Sequence, residues 1–154
     1  MHQTLLTLHS LNRWLVLASL LYAIYTSWKG FRNGITFTNA NYTLRHVTAT
    51  IAHIQLLLGL YLYMISPVVK FKVAELQGSN LVSEHMFFKL IHIALMAVAV
   101  VVITIGSAKA KRADADKTKF RTMFIWFLAG LLIILIAVPW PFSPLANRPY
   151  LRLF

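Results

Sequence analysis

The chain has no cysteine among its 154 residues and only four acids, Glu75, Glu84, Asp114 and Asp116. Without cysteine there is no disulfide, no thiolate-held iron–sulfur cluster and no c-type haem attached through a Cys-x-x-Cys-His motif. A non-covalent haem or a histidine-bound metal stays open. Charged residues make up 12% of the chain, about half the share in a soluble domain. None of the acids falls in an apolar run, which argues against a proton-coupled transporter, since these use membrane carboxylates. There is no Ser/His/Asp arrangement, no HExxH and no phosphate loop, so no hydrolase or transferase motif is in evidence. No paired, interrupted apolar segments mark a transporter with inverted repeats.

What is present is apolar surface. Hydrophobic residues form 58% of the chain, and the mean hydropathy is +0.67. Four apolar stretches stand out: residues 5–28, "HVTATIAHIQLLLGLYLYMI" at 46–65, "FFKLIHIALMAVAVVVITIG" at 87–106 and "FIWFLAGLLIILIAVPW" at 124–140. Each is long enough to cross a hydrocarbon core of about 30 Å as a helix. With their flanks they predict helices over about 5–28, 44–65, 85–106 and 120–141, in a single transmembrane domain spanning 1–154. Lys29-Gly30, Ser66-Pro67, Gly106 with its basic run, and Pro139-Trp140-Pro141 read as the stops. Residues 66–84 form the longest connection, with room for a short surface helix. No Lys or Arg precedes the first stretch, so it reads as a retained span and not a cleaved signal.

The net charge is +11, and nine of the 15 basic residues sit in two short loops. Lys29, Arg32 and Arg45 lie between the first two spans. Lys109, Lys111, Arg112, Lys117, Lys119 and Arg121 lie between the last two. No basic stripe interleaved with exposed aromatics stands apart from the spans, so the charge does not indicate nucleic acid. It indicates orientation, because basic loops stay in the cytoplasm beside anionic lipid. The expected fold is all-α: an up-down-up-down four-helix bundle, multi-pass in a bacterial inner membrane, with both termini on the outer, periplasmic side. Trp28 and Trp126 then mark the inner interface, and Tyr61, Tyr63 and Trp140 the outer one.

Ionisable side chains inside spans are the functional candidates. "TLHSLNRW" at 7–14 opens the first span with His9 and Arg13, one turn apart on one face. His53 and His92 lie in the second and third spans. At 1.5 Å per residue, His9 lies about 12 Å and His92 about 6 Å outward of the midplane, and His53 about 4–5 Å inward. Two imidazoles from facing helices can hold a b-type haem, and Arg13 can pair with a propionate. The competing reading makes a lone intramembrane histidine helix glue, bonded to a neighbouring carbonyl or hydroxyl. Arg13 can also snorkel to the interface. His2, His46 and His85 fall near interfaces and read as solvated. His46 shares a stripe with His53, and His85 with His92, at seven-residue spacing. Met64 and Met96 read as packing, Gly59 and Gly130 as close helix contacts, and Lys89 as snorkelling.

Several pieces together resemble a family of small bacterial four-helix membrane proteins, frequent in Bacteroidetes-type genomes, that carry the label "cytochrome B". These are "LHSLNRW" (8–14), "AHIQLLLGLYLY" (52–63), "FFKLIHIALMAVAVVVITIGSAKAKR" (87–112), "DKTKF" (116–120) and "VPWPF" (138–142), with "NRPY" (147–150) a weaker match. The resemblance implies haem b and electron transfer. It puts the family histidines on His9, His53 and His92 and the family arginine on Arg13. Where that family has Glu directly before its third-span histidine, this chain has Ile91.

The leading expectation is therefore a membrane b-type cytochrome passing electrons between the quinone pool and a partner. His53 with His92 is the first choice of ligand pair, because they lie deepest on consecutive helices. His9 with His92 is the second, because their depths differ least. The remaining histidine and Arg13 would serve a propionate or a quinol. The alternative is a haem-free accessory subunit of a larger membrane complex, or a homo-oligomer, with membrane lipid as its surroundings. A third possibility is copper or zinc on His53, His92 and His9.

Overall fold

The computed structural model describes residues 2–66 and 85–141. These are helical almost throughout, with no strand among the described residues. Helix α1 runs His2–Asn33, α2 Asn39–Ile65, α3 His92–Arg112 and α4 Asp116–Ala137. A π-helical stretch, Phe87–Ile91, leads directly into α3. Each helix packs on its chain neighbour, and α4 closes back on α1. Partners across a seam run in opposite order along it: Arg45 meets Ser107 and Tyr63 meets Lys89 between α2 and the third helix. Neighbours joined by connections as short as 34–38 and 113–115 have to pack this way.

Three stretches are long and apolar enough to cross a membrane: Asn39–Ile65, Phe87–Arg112 and Asp116–Ala137. Helix α1, expected as a fourth span, is not among them. At 32 residues it is long enough. It falls short in hydropathy because polar and amphipathic residues are spread along it, from His9, Ser10, Asn12 and Arg13 to Tyr22, Tyr25, Ser27 and Lys29.

Two of the expected stops are not stops. Helix α1 continues past Lys29-Gly30 to Asn33, and ends where Gly34 takes φ +63° with its N–H on the Gly30 carbonyl at 3.1 Å. That left-handed residue is the usual helix terminator. The third helix continues past Gly106 through the basic run to Arg112, where cations in the last turn suit the negative end of the helix dipole. Gly30 and Gly106 are instead points of close approach. A Cβ on Gly30 would run into the Phe120 ring, and one on Gly106 into the Trp126 side chain. Gly130 is likewise filled by Ile103. The second helix does end at Ile65, before Pro67. The connection of residues 67–84 and the "NRPY" segment lie outside the described residues.

The core is built from aliphatic and aromatic side chains, with Leu20, Ala23, Ala99, Ile103, Phe120 and Phe127 fully buried. Large apolar residues also cover the outside: Leu57 is 65% exposed, Met64 70% and Ile136 74%. Met64 therefore faces outward and does not pack in the core.

Substituting Gly106 with Ala separates packing from propensity. Ala is the better helix former by about 1 kcal/mol, yet its methyl meets Trp126. The expected net result is a loss of about 1–3 kcal/mol, read from a circular-dichroism melt in detergent. Gly34→Ala has nothing within 4 Å and is expected to cost only about 1–2 kcal/mol, from its backbone conformation. An unchanged melt for Gly106→Ala would contradict the α3–α4 contact.

Candidate functional site

Pro139 and Pro141 shape one wall of the site. A continuing helix would place the N–H of residue 139 on the Leu135 carbonyl, and that of residue 141 on the Ala137 carbonyl. Proline has no N–H to give. The Leu135 carbonyl instead accepts the indole N–H of Trp140 at 2.8 Å. The Ala137 carbonyl accepts from Nδ1 of His92, also at 2.8 Å. That bond carries the His92 proton on Nδ1 and leaves the Nε2 lone pair open, which is how metal-binding histidines are commonly held.

The π-helical stretch aims His92. The extra residue in its turn bonds the His92 N–H to the Phe87 carbonyl, and single π turns inside helices are frequent at functional sites. The Phe87 and Phe88 rings pack on the imidazole at 5.7 and 5.9 Å. His85, expected as solvated, is instead buried at 1% exposure, beside buried Phe87. It lies at the inward-turned start of this segment.

The opposite wall comes from α1 and α2. Asn12 donates to the Gln55 side-chain oxygen at 2.9 Å and to the Ile51 carbonyl at 3.4 Å. The Gln55 amide nitrogen donates to the His9 carbonyl at 3.1 Å and to His9 Nε2 at 3.3 Å. His9 Nδ1 is buried with no hydrogen-bond partner among the described residues. The His9 ring lies over Gly59, where a Cβ would come within 3.3 Å of it. The absent side chain makes room for the imidazole.

Between these walls is a cavity of about 370 Å³, within the range that holds small ligands and cofactors. His9, Arg13, Gln55, Gly59, His92 and Met96 line it, with apolar side chains around them. The structure thus brings His9, Arg13 and His92 to one cavity, and Met96 joins them one turn below His92.

It does not bring His53 there. His53 is exposed on the outer seam between α2 and α3. Its Nδ1 donates to the Ala49 carbonyl at 2.7 Å, and its Nε2 lies 3.2 Å from the Thr104 hydroxyl. Thr104 is twelve residues along from His92, about 18 Å of helix rise. The pairing of His53 with His92 therefore has no geometry here, whereas His9 with His92 does. His53 has the surroundings of helix glue. His46 lies on the same seam, as its seven-residue spacing from His53 predicts.

Gln55 and Asn12 are the site residues that the sequence reading left without a role. Gln55 had a signal: an amide in the middle of an apolar run has to find a partner. The Ala137 carbonyl had none, being backbone. Among the described residues no group of three or more His, Asp or Glu side chains is gathered for a bare metal ion. Two imidazoles on a cavity fit a group that brings its other ligands with it. The haem of a b-type cytochrome is such a group, and the open Nε2 of His92 and the apolar lining suit it; His9, whose Nε2 accepts from Gln55 and whose proton is therefore on the buried Nδ1, would offer Nε2 on release of that amide.

The fold and site together define an all-helical bundle with an imidazole-lined cavity between its helices. Comparison with protein-family models, with curated proteins and with solved structures finds no match to the chain.

Gln55→Leu is expected to cost about 1 kcal/mol, since it strands Asn12 and His9 together. Adding Asn12→Leu should cost less than its single effect. A coupling of at least about 0.5 kcal/mol in the double-mutant cycle checks this, and strict additivity would show that the two amides do not act as a unit.

Proposed function

We propose that this chain is a multi-pass protein of a bacterial inner membrane, an up-down-up-down bundle with both termini outside, which holds a b-type haem between His9 and His92. The observation that carries the reading is the shared cavity: imidazoles from α1 and α3 line one apolar space, His92 with its Nδ1 proton committed to Ala137 and its Nε2 left open. The membrane part is supported by the outward-facing apolar side chains and by the cations at one end. There Arg32 lies over Trp28 and Lys109 over Trp126, a pairing suited to a membrane interface. The resemblance to the "cytochrome B" family supports the cofactor.

In this reading His92 is the more rigid ligand, because Ala137, Phe87 and Phe88 fix its ring. His9 is held by Gln55 through Nε2, the ring nitrogen that carries the lone pair, and would turn that nitrogen to the group once the amide lets go. Arg13, one turn from His9, matches a propionate carboxylate through its guanidinium fork. The apolar lining keeps water off the group and so helps to set its potential. When bound, haem supplies one-electron transfer, with a quinone and a partner protein as the electron partners. Ile91, in the place of the family Glu, leaves no carboxylate directly before His92.

Purified protein is expected to show a sharp b-type α band in a reduced-minus-oxidised spectrum, and haem by pyridine haemochrome. His9→Ala and His92→Ala should each lose the six-coordinate spectrum, while His53→Ala keeps it. Haem-free protein from haem-replete cells would sink the proposal. So would a ligand set in which His53 is required and His9 is not.

A further inference from the structure

The outer seam between α2 and α3 carries a second polar feature, unconnected with the cavity. It is an open groove of about 590 Å³, lined by Arg45, His46, His53, Ser107, Lys111 and Arg112 among others. Arg45 is its floor. Only 8% of Arg45 is exposed, although it sits two turns into α2 within an apolar fold. One Nη donates to the Ser107 carbonyl at 3.1 Å and to the Ser107 hydroxyl. Both acceptors are neutral. The Nε of Arg45 is buried with no partner among the described residues. Among the described residues no acidic side chain lines the groove. Lys111 and Arg112, both exposed, stand at its rim in the last turn of α3.

A buried guanidinium held by neutral groups alone is poorly compensated, because removal from water penalises the charge and only an anion restores the balance. The rim cations add to that field and do not relieve it. The partner that would balance it is negative, and no described residue of the groove supplies one. It must also offer several acceptor oxygens, since guanidinium donors match phosphate in pairs. The groove opens on the side of the bundle at its basic end, where the headgroups of the inner leaflet would lie. Basic recesses between membrane helices at that level bind anionic headgroups.

We propose that this groove holds the phosphate of an anionic phospholipid, with Arg45 reaching its oxygens from below and Lys111 and Arg112 closing on it from the rim. The assignment rests on the membrane-spanning reading and not on the haem. A haem-free preparation that retains anionic lipid, or a haem-loaded one that does not, separates the two.

Native mass spectrometry of the full chain, released from detergent micelles doped with equal phosphatidylglycerol and phosphatidylcholine, tests it. The wild type should retain phosphatidylglycerol selectively. Lys111→Gln with Arg112→Gln, both on the surface and away from the cavity, should lower that retention by roughly fivefold for each charge removed. Arg45→Gln should abolish the selectivity, with a circular-dichroism melt reporting whether it folds; the rim variant decides the matter if it does not. A second arm adds inorganic phosphate. Weak competition, lost in the rim variant, is expected of a headgroup site. Full displacement of lipid by millimolar phosphate would make the ligand a free anion and overturn the lipid assignment. Equal retention of the two lipids, or selectivity unchanged in every variant, would overturn the site.

Discussion

Pro139 and Pro141 each remove an N–H that another turn of α4 would have used, and the two carbonyls left behind organise the wall of the cavity. Trp140, between the prolines, covers the first. The second, on Ala137, is left for a donor from another helix, and His92 is that donor. An apolar surrounding makes this exchange strict. A helix-end carbonyl in water costs little, but one buried away from water must find a hydrogen. The stop signal at the end of α4 thus also sets the His92 tautomer and fixes where α3 begins relative to α4. The π turn at Phe87–Ile91 belongs to the same device, because it delivers the ring at the depth where the carbonyl waits.

The α1–α2 wall uses a different currency, the side-chain amide. Asn12 and Gln55 satisfy each other and the nearby backbone before either touches His9. Successive helical residues are rotated by about 100°, so residues two apart face nearly opposite ways. Once Gln55 turns inward to α1, His53 is carried to the outer seam. Gly59, one turn beyond Gln55, then clears the space that the His9 ring fills. The choice of which histidine enters the cavity is therefore made by an amide and a glycine.

This explains which features could be read in advance. The helices of 46–65, 87–106 and 124–140 were legible because long apolar runs permit little else. Their ends were less so. Gly30 and Gly106 carry the composition of stops, yet each has a bulky partner across a seam, Phe120 and Trp126, and contact overrides the local signal. His9, Arg13 and His92 could be named as candidates because intramembrane charge and imidazole need a reason. Their grouping could not, because estimated depth along the helix axis says nothing about rotation about it. His53 shows the difference: it is well placed in depth, and its side chain lies on the outer seam. His85 differed for a related reason, since a position near a span end does not exclude a helix start that turns inward.

The two polar regions differ in what compensates them. The cavity groups are imidazoles and amides bonded to one another and to backbone carbonyls, with the Arg13 guanidinium beside them. The α2–α3 groove is the reverse, a buried guanidinium and two rim cations with only neutral bonds to share. With 15 basic residues against four acids, the chain is poor in carboxylates, and none of the described ones lies there. Its electrostatic balance at that end has to be completed by the surroundings. In the proposed membrane setting, the anionic leaflet beside the basic loops supplies that balance.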